Sequence, residues 1–235
     1  MKFMLSKKWV DIEFKHAYCI GYSGRNVDKT KAHIAELKKL GVPEPASIPE
    51  IYHLSSSLFK QVDSIDVVGN KTSGEAEIVL FFNGEQRYVT LGSDHTDRDL
   101  ETVSIHKSKQ VCAKPLATDL WLFEDVQEQW DNLQLSSYIM EDGEWKLYQE
   151  DTVSSILPVE NLMKTLTEKG EELTNTIVYC GTVPLIDGFK YPNKFKAELF
   201  NPQKNNAIEL TYSVNELYNV LKLCKKILIF NEFRF

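Results

Sequence analysis

The chain has 235 residues and a net charge of -7, with 43% apolar side chains and four cysteines. It is long enough to bury a substantial core as one large β-rich domain or two small ones, and its lysines alternate with acids without forming a basic stripe, which leaves a nucleic-acid surface without support. Cys19, Cys112, Cys180 and Cys224 lie far apart with no C-x-x-C pair, a pattern that argues against zinc and fits reduced core thiols in a cytoplasmic protein.

Lys2, Lys7 and Lys8 precede no sustained apolar segment, and no apolar run is long enough to span a bilayer, so neither secretion nor a membrane span is expected. Residues 9–22 read as one or two strands ending at the flexible Gly21-Tyr22-Ser23-Gly24. A helix follows, capped by Asp28 or Thr30, with Ala32, Ile34, Ala35 and Leu37 as its apolar stripe and Gly41 and Pro43 as its stop. His33 and Glu36 are i, i+3 neighbours on it. Pro43, Pro45 and Pro49 stiffen the next segment.

Asn83-Gly84 is a two-residue turn signal and predicts a hairpin between 75–82 and 85–91. Residues 97–109 read as a loop or short helix and 121–130 as a second helix. A strand at 133–140 pairs through the turn Glu141-Asp142-Gly143-Glu144 with 145–149. The spacing of Ile156, Leu157, Leu162, Met163 and Leu166 predicts a helix over 154–169. Strands follow at 177–180, 195–200 and 207–212, and a C-terminal helix over 214–229, whose Lys222, Lys225 and Lys226 form a solvated face. Many strands, few helices and no βαβ rhythm indicate a mixed α+β, mainly β chain.

Counting outward from Asn83-Gly84 pairs Phe82 with Glu85, Glu77 with Thr90 and Glu75 with Gly92. Glu75, Glu77 and Asp94 then share one face, with Asp94 diagonal to Glu75 at roughly 7 Å. Such carboxylates can each place an oxygen about 2.1 Å from one Mg²⁺, and the missing side chain of Gly92 leaves room for the ion and its waters. The apolar run Ile78 to Phe82 implies burial on both faces, so the neighbouring glutamates need a compensating cation, Arg98 or Lys109. The same Glu-x-Glu pattern also suits a solvent-facing strand end.

Several stretches, in order, resemble the fumarylacetoacetate hydrolase (FAH) superfamily. Gly21-Tyr22 with His33-Ile34-Ala35-Glu36 looks like its Asn-Tyr and His-x-x-Glu segment. Glu75-Ala76-Glu77 is similar to its Glu-x-Glu metal motif, and Ser93-Asp94-His95-Thr96-Asp97-Arg98-Asp99-Leu100-Glu101 to its Asn-Asp…Ala-Arg-Asp-Leu-Gln segment. Ser108-Lys109, Asp142-Gly143-Glu144 with Gln149, and Cys180-Gly181-Thr182-Val183-Pro184 resemble the Gly-Lys, Asn-Gly-Glu…Gln and Thr-Gly-Thr-Pro landmarks. Glu101 stands where the family has Gln, Asp97 where it has Ala, and Val183 is inserted, so the substrate pocket is altered.

The resemblance implies an FAH-like mixed β-sandwich roll with a few peripheral helices, with N-terminal strands and a lid-like helix in 1–60 and the catalytic core in 61–235. It implies Glu75, Glu77 and Asp94 as ligands of Mg²⁺ or Mn²⁺, and a small 2-oxo-acid or diketo-acid substrate cleaved or decarboxylated through a metal-stabilised enolate. Lys109, with Lys107 as rival, supplies charge near the substrate. Arg98 clamps a carboxylate or forms a tie to Asp94 or Asp99. Thr182 binds the substrate carboxylate, and His33 oriented by Glu36 serves as a base once the helix closes. His95 points away from the ligands. Family members commonly form homodimers. Two alternatives stay open: a non-catalytic small-ligand binding protein of this fold, and an isomerase or hydratase of an unsaturated oxo acid.

Overall fold

The computed structural model describes residues 1–218. Two sheets organise it. The larger has eight strands in the order Lys8–Asp11, Lys2–Leu5, Asp119–Leu122, Gln86–Ser93, Ala76–Asn83, Thr176–Thr182, His16–Gly21 and Glu50–His53. The smaller has five, in the order Glu144–Thr152, Gln134–Glu141, Lys194–Asn201, Asn206–Tyr218 and Ser64–Val68. Most pairings are antiparallel, but Thr176–Thr182 runs parallel to His16–Gly21, Lys2–Leu5 to Asp119–Leu122, and Asn206–Tyr218 to Ser64–Val68. The N-terminal strands and the Ala76–Asn83 hairpin strand thus share one sheet.

The larger sheet is covered on both faces, which explains the unbroken apolar run from Ile78 to Phe82. Ile78, Leu80, Val178 and Cys180 pack toward Leu135, Phe195, Leu199 and Ile208 of the smaller sheet. Val79, Phe81, Ile177 and Tyr179 face the other way, against Phe3, Cys19, Phe59 and Leu116. The architecture is mainly β with short helices around it, the α+β class that the sequence implies. No helix among the described residues is long and apolar enough to cross a membrane.

Several boundaries move for local reasons. The first helix is Val27–Lys39, and its cap is Asn26, whose side chain accepts from the Lys29 N–H at 3.0 Å. Its buried face is Thr30, Ile34 and Leu37, whereas Ala32 and Ala35 are exposed. Residues 121–130 are not one helix. Asp119–Leu122 is a strand inserted between Lys2–Leu5 and Gln86–Ser93, and two 3₁₀ segments, Phe123–Asp125 and Gln127–Asn132, follow. Phe123, Val126 and Trp130 are nonetheless buried together.

The helix expected over 154–169 starts only at Val159, because Pro158 keeps Leu157 out of the α region and has no N–H to donate. At the C-terminus, residues 214–218 continue the Asn206–Tyr218 strand, held by pairing with Ser64–Val68. The rest of the expected helix, with Lys222, Cys224, Lys225 and Lys226, lies outside the described residues.

Candidate metal centre

The hairpin turn lies one residue later than the dipeptide signal suggests. Asn83 pairs with Gln86, so Gly84 (φ +62°) and Glu85 form the turn. Glu77 therefore opposes Gly92, and the Asp94 N–H donates to the Glu75 carbonyl at 3.0 Å. The register is displaced by two residues from expectation. An even displacement leaves every side chain on its face, so Glu75, Glu77 and Asp94 still point the same way.

Past Ser93 the chain folds tightly enough to bring its cations back. Thr96–Asp97 pairs with Thr72–Ser73, Asp97 caps Arg98–Glu101 by accepting the Leu100 N–H at 2.9 Å, and Ser104 caps Ile105–Gln110. That last helix turns Ser108 and Lys109 inward and leaves Lys107 exposed. The Lys109 ammonium donates to Asp94 Oδ2, and Lys114 Nζ lies 3.2 Å from Asp94 Oδ1. Lys114 is fully buried and also donates to the carbonyls of Lys109 at 2.6 Å and Cys112 at 3.3 Å, and to that of His95.

Arg98 is spent on acids. Its Nη1 lies 3.2 and 3.0 Å from the two Glu101 carboxylate oxygens, and Nε donates to Ser73 Oγ at 2.7 Å. Nη2 is 3.2 Å from Glu75 Oε2 but outside hydrogen-bond alignment. The guanidinium rests 4.2 Å from the centroid of the Phe189 ring. No tie to Asp99 forms, since that carboxylate pairs with Lys71 at the surface.

Glu77 is 4% exposed, accepts the Gly181 N–H at 2.9 Å, and pairs with no lysine or arginine among the described residues. Gly181 can aim that N–H because it has φ +108°, and a Cβ there would meet Ser23 Oγ. Burial, reinforced by Asp94, pushes the Glu77 carboxyl well above the usual range. Burial opposes ionisation of Asp94 too, but the Lys109 and Lys114 ammoniums outweigh it and hold that carboxyl well below the usual range. Lys109, buried as well, is pushed upward by Asp94.

Thr182 pairs across the ladder with Glu77; its hydroxyl donates to the Ala76 carbonyl and accepts from Gln149 Nε2, both at 2.7 Å. His95 turns to the opposite face, between Tyr212 Oη at 2.9 Å and Thr72 Oγ1 at 2.8 Å. His33 and Glu36 are not brought to the cluster. They lie 4.0 Å apart on the exposed face of Val27–Lys39, with side chains 57% and 74% exposed. The space at Gly92 is not open either, because the Tyr179 ring fills it and a Cβ there would lie 2.4 Å from Tyr179 Oη.

The oxygen donor set of Glu75, Glu77 and Asp94 fits a hard divalent cation, and a buried Glu77 without a cationic partner is what such an ion would compensate. Among the described residues no three acidic, histidine or cysteine side chains are drawn together closely enough to share an ion in this conformation. Arg98 holds Glu75, and the two lysines hold Asp94.

Sequence reasoning missed Lys114, which reads as one of many loop lysines, and the buried Tyr52. Gly21 and Tyr22 marked a turn, but nothing local shows that the Tyr52 ring lies over Lys109, 5.6 Å from its Nζ.

A family model described as "Protein of unknown function (DUF2848)" matches residues 20–212. The chain belongs to that family. The DUF2848 match takes in the hairpin and the whole charged cluster, and leaves out the N-terminal strands Lys2–Leu5 and Lys8–Asp11. A sequence search of curated proteins finds no match. Among solved structures, the DUF2848 chain is similar to a protein of Oleispira antarctica provisionally assigned as a fumarylacetoacetate isomerase/hydrolase, at 17% identity and TM-score 0.65, over 91% of this chain and 99% of that one. It is similar to 2-keto-3-deoxy-D-arabinonate dehydratase complexed with magnesium and 2,5-dioxopentanoate, at 16% identity and TM-score 0.63, over 88% and 75%. It also matches 4-oxalocrotonate decarboxylase of Pseudomonas putida G7, complexed with calcium and acetate, at 14% identity and TM-score 0.56, over 88% and 78%. Likeness at this identity shows a shared FAH-type fold and leaves the reaction to the site.

Proposed function

We propose that this DUF2848 protein is a divalent-metal-dependent enzyme acting on a small 2-oxo acid or diketo acid, breaking a C–C bond by hydrolysis or decarboxylation through an enolate. One observation carries the reading: the hairpin and the turn after it gather Glu75, Glu77 and Asp94 on one sheet face, beside a buried Lys109. Fold neighbours solved with magnesium or calcium and small carboxylic ligands support it by analogy.

In this reading Glu75, Glu77 and Asp94 hold Mg²⁺ or Mn²⁺, which when bound polarises the 2-oxo group and stabilises the enolate. Lys109 gives up its hold on Asp94 and turns its ammonium to the substrate carboxylate or enolate, a point-charge role suited to lysine. Arg98 orients Glu75 rather than gripping the substrate, and Thr182 fixes the wall beside Glu77. His33 with Glu36 supplies the base when Val27–Lys39 closes over the cluster.

Calorimetric titration of Mg²⁺ and Mn²⁺, with and without oxalate as an enolate mimic, tests the metal site. The parent is expected to bind metal more tightly with oxalate, and folded Glu77→Gln to lose at least tenfold in affinity. Absence of metal binding in the parent would sink the proposal. The ion pairs that already engage Asp94 and Glu75 favour one second reading, a small-ligand binding protein that has lost the reaction; oxalate binding without turnover of any oxo acid would select it.

A further inference from the structure

The last strand of the smaller sheet, Glu144–Thr152, is partnered along one side only. On its other side Leu185 bridges Gln149, and the Ile186 N–H donates to the Tyr148 carbonyl at 3.0 Å. Among the described residues nothing pairs with the outer edge of 144–147. This open stretch carries Trp145 and Leu147, 40% and 41% exposed. They stand opposite Met140 and Tyr138, both half-buried, so the four side chains share the outer face of the sheet as one apolar patch.

Hydrogen-bond parity fixes what the edge offers. Asp142 (φ +52°) and Gly143 (φ +83°) make a two-residue turn, so Glu144 bonds back to Glu141, and Lys146 to Ile139. Trp145 and Leu147 therefore turn their main-chain N–H and C=O groups outward, as a template for a further strand. On the opposite face Glu144 and Lys146 flank Trp145, paired with each other at 2.6 Å, with side chains 73% and 50% exposed. This pattern is self-complementary. An antiparallel copy centred on Trp145 satisfies the outward groups of both tryptophans and sets each Glu144 against the partner's Lys146, at the close spacing of a non-hydrogen-bonded pair. Centring on Lys146 would oppose two lysines at that spacing, which is unfavourable. Charge thus selects one register.

We propose that two copies of this chain join antiparallel along Glu144–Leu147, merging their smaller sheets into one, with Trp145 at the two-fold axis and reciprocal Glu144–Lys146 pairs beside it. The contact is isologous, so the same edge is used up on both copies and association through it stops at two. The inference needs neither the metal nor the oxo-acid reading.

Sedimentation equilibrium of the full chain over about 1–100 μM is the test, a range suited to a short edge with a small apolar patch. The parent is expected to be a dimer at the upper end, and Trp145→Ser to weaken association at least tenfold. Glu144→Lys and Lys146→Glu should each weaken it at least fivefold, because each sets like charges against one another twice. Mixing these two variants should restore the dimer, since every lysine in the mixed pair again meets a glutamate. All three side chains are exposed enough for the variants to fold. A parent that stays monomeric throughout overturns the inference, and so does a parent dimer that the substitutions leave unchanged. Weakened variants that do not recover on mixing would reject the antiparallel register, and the inference with it.

Discussion

Lys114 contributes one ammonium that donates to three main-chain carbonyls and forms an ion pair with Asp94. By tying the carbonyls of His95 and Lys109 to one point it fixes the two chain segments that carry Asp94 and Lys109. Removing one partner of a buried charged network leaves the other uncompensated, which costs about 3–5 kcal/mol. Lys114→Met is expected to lose stability on that scale in urea unfolding, whereas exposed Lys107→Met should lose next to none; equal behaviour of the two would show that the buried ammonium is not a structural tie. Nothing in the sequence separates these lysines, because their difference lies in the carbonyls gathered around one of them. The acids were legible for the opposite reason: their placement follows from strand parity, which survived a two-residue error in register.

At the scale of elements, the two sheets are joined by more than apolar packing. Gln149, on a strand of the smaller sheet, is fully buried, and its side chain makes four hydrogen bonds. Its carbonyl accepts from the Ala76 N–H at 2.9 Å and Ser137 Oγ at 2.7 Å, while its amide donates to Thr182 Oγ1 and the Val183 carbonyl, both at 2.7 Å. Ala76 lies between the two glutamates of the candidate centre. Gln149→Leu would strand the Ala76 N–H and the Val183 carbonyl, each costing about 1–3 kcal/mol. A stability loss under 1 kcal/mol in chemical denaturation would contradict this account. The hairpin strands and those near 133–149, 177–180 and 195–212 were readable from alternation and turn chemistry, whereas the strands Lys2–Leu5, Glu50–His53, Ser64–Val68 and Asp119–Leu122 and the helix starts were not: Asn26, Pro158 and the 3₁₀ segments around Val126 are decided by one or two residues that an apolar stripe does not register.

For the whole molecule, the buried charges set opposing responses to pH. Burial, helped by Lys114 and Arg98, lowers His95 to about 3, so this histidine is neutral in the folded state. A group whose folded value is depressed contributes stability above its unfolded value, about 6.5 for histidine, and loses it progressively as pH falls toward the folded value. Glu77, pushed upward, acts in reverse: its contribution is full below the ordinary carboxylate range and fades as pH rises through the folded value. In metal-free protein the stability gap between the parent and His95→Asn should shrink by about 3 kcal/mol from pH 7 to pH 4, near 1.4 kcal/mol per pH unit below 6.5. Urea unfolding at several pH values measures it, and a constant gap would mean that His95 does not titrate on unfolding.

Two of the parallel pairings have a temporal consequence. His16 is aligned with Thr176, and Ser64 with Ser213. Each sheet is thus closed by a partner that leaves the ribosome some 150 residues after the strand it joins. Contacts of such sequence separation form slowly, because loop-closure entropy is lost before they reward it. During synthesis the Ala76–Asn83 strand, with its run of five apolar side chains, waits beside an open edge until Thr176–Thr182 arrives to cover it. The same hairpin that assembles the acidic face is therefore an aggregation-prone surface of the nascent chain, and the interval before its neighbour emerges is one in which a chaperone has something to protect.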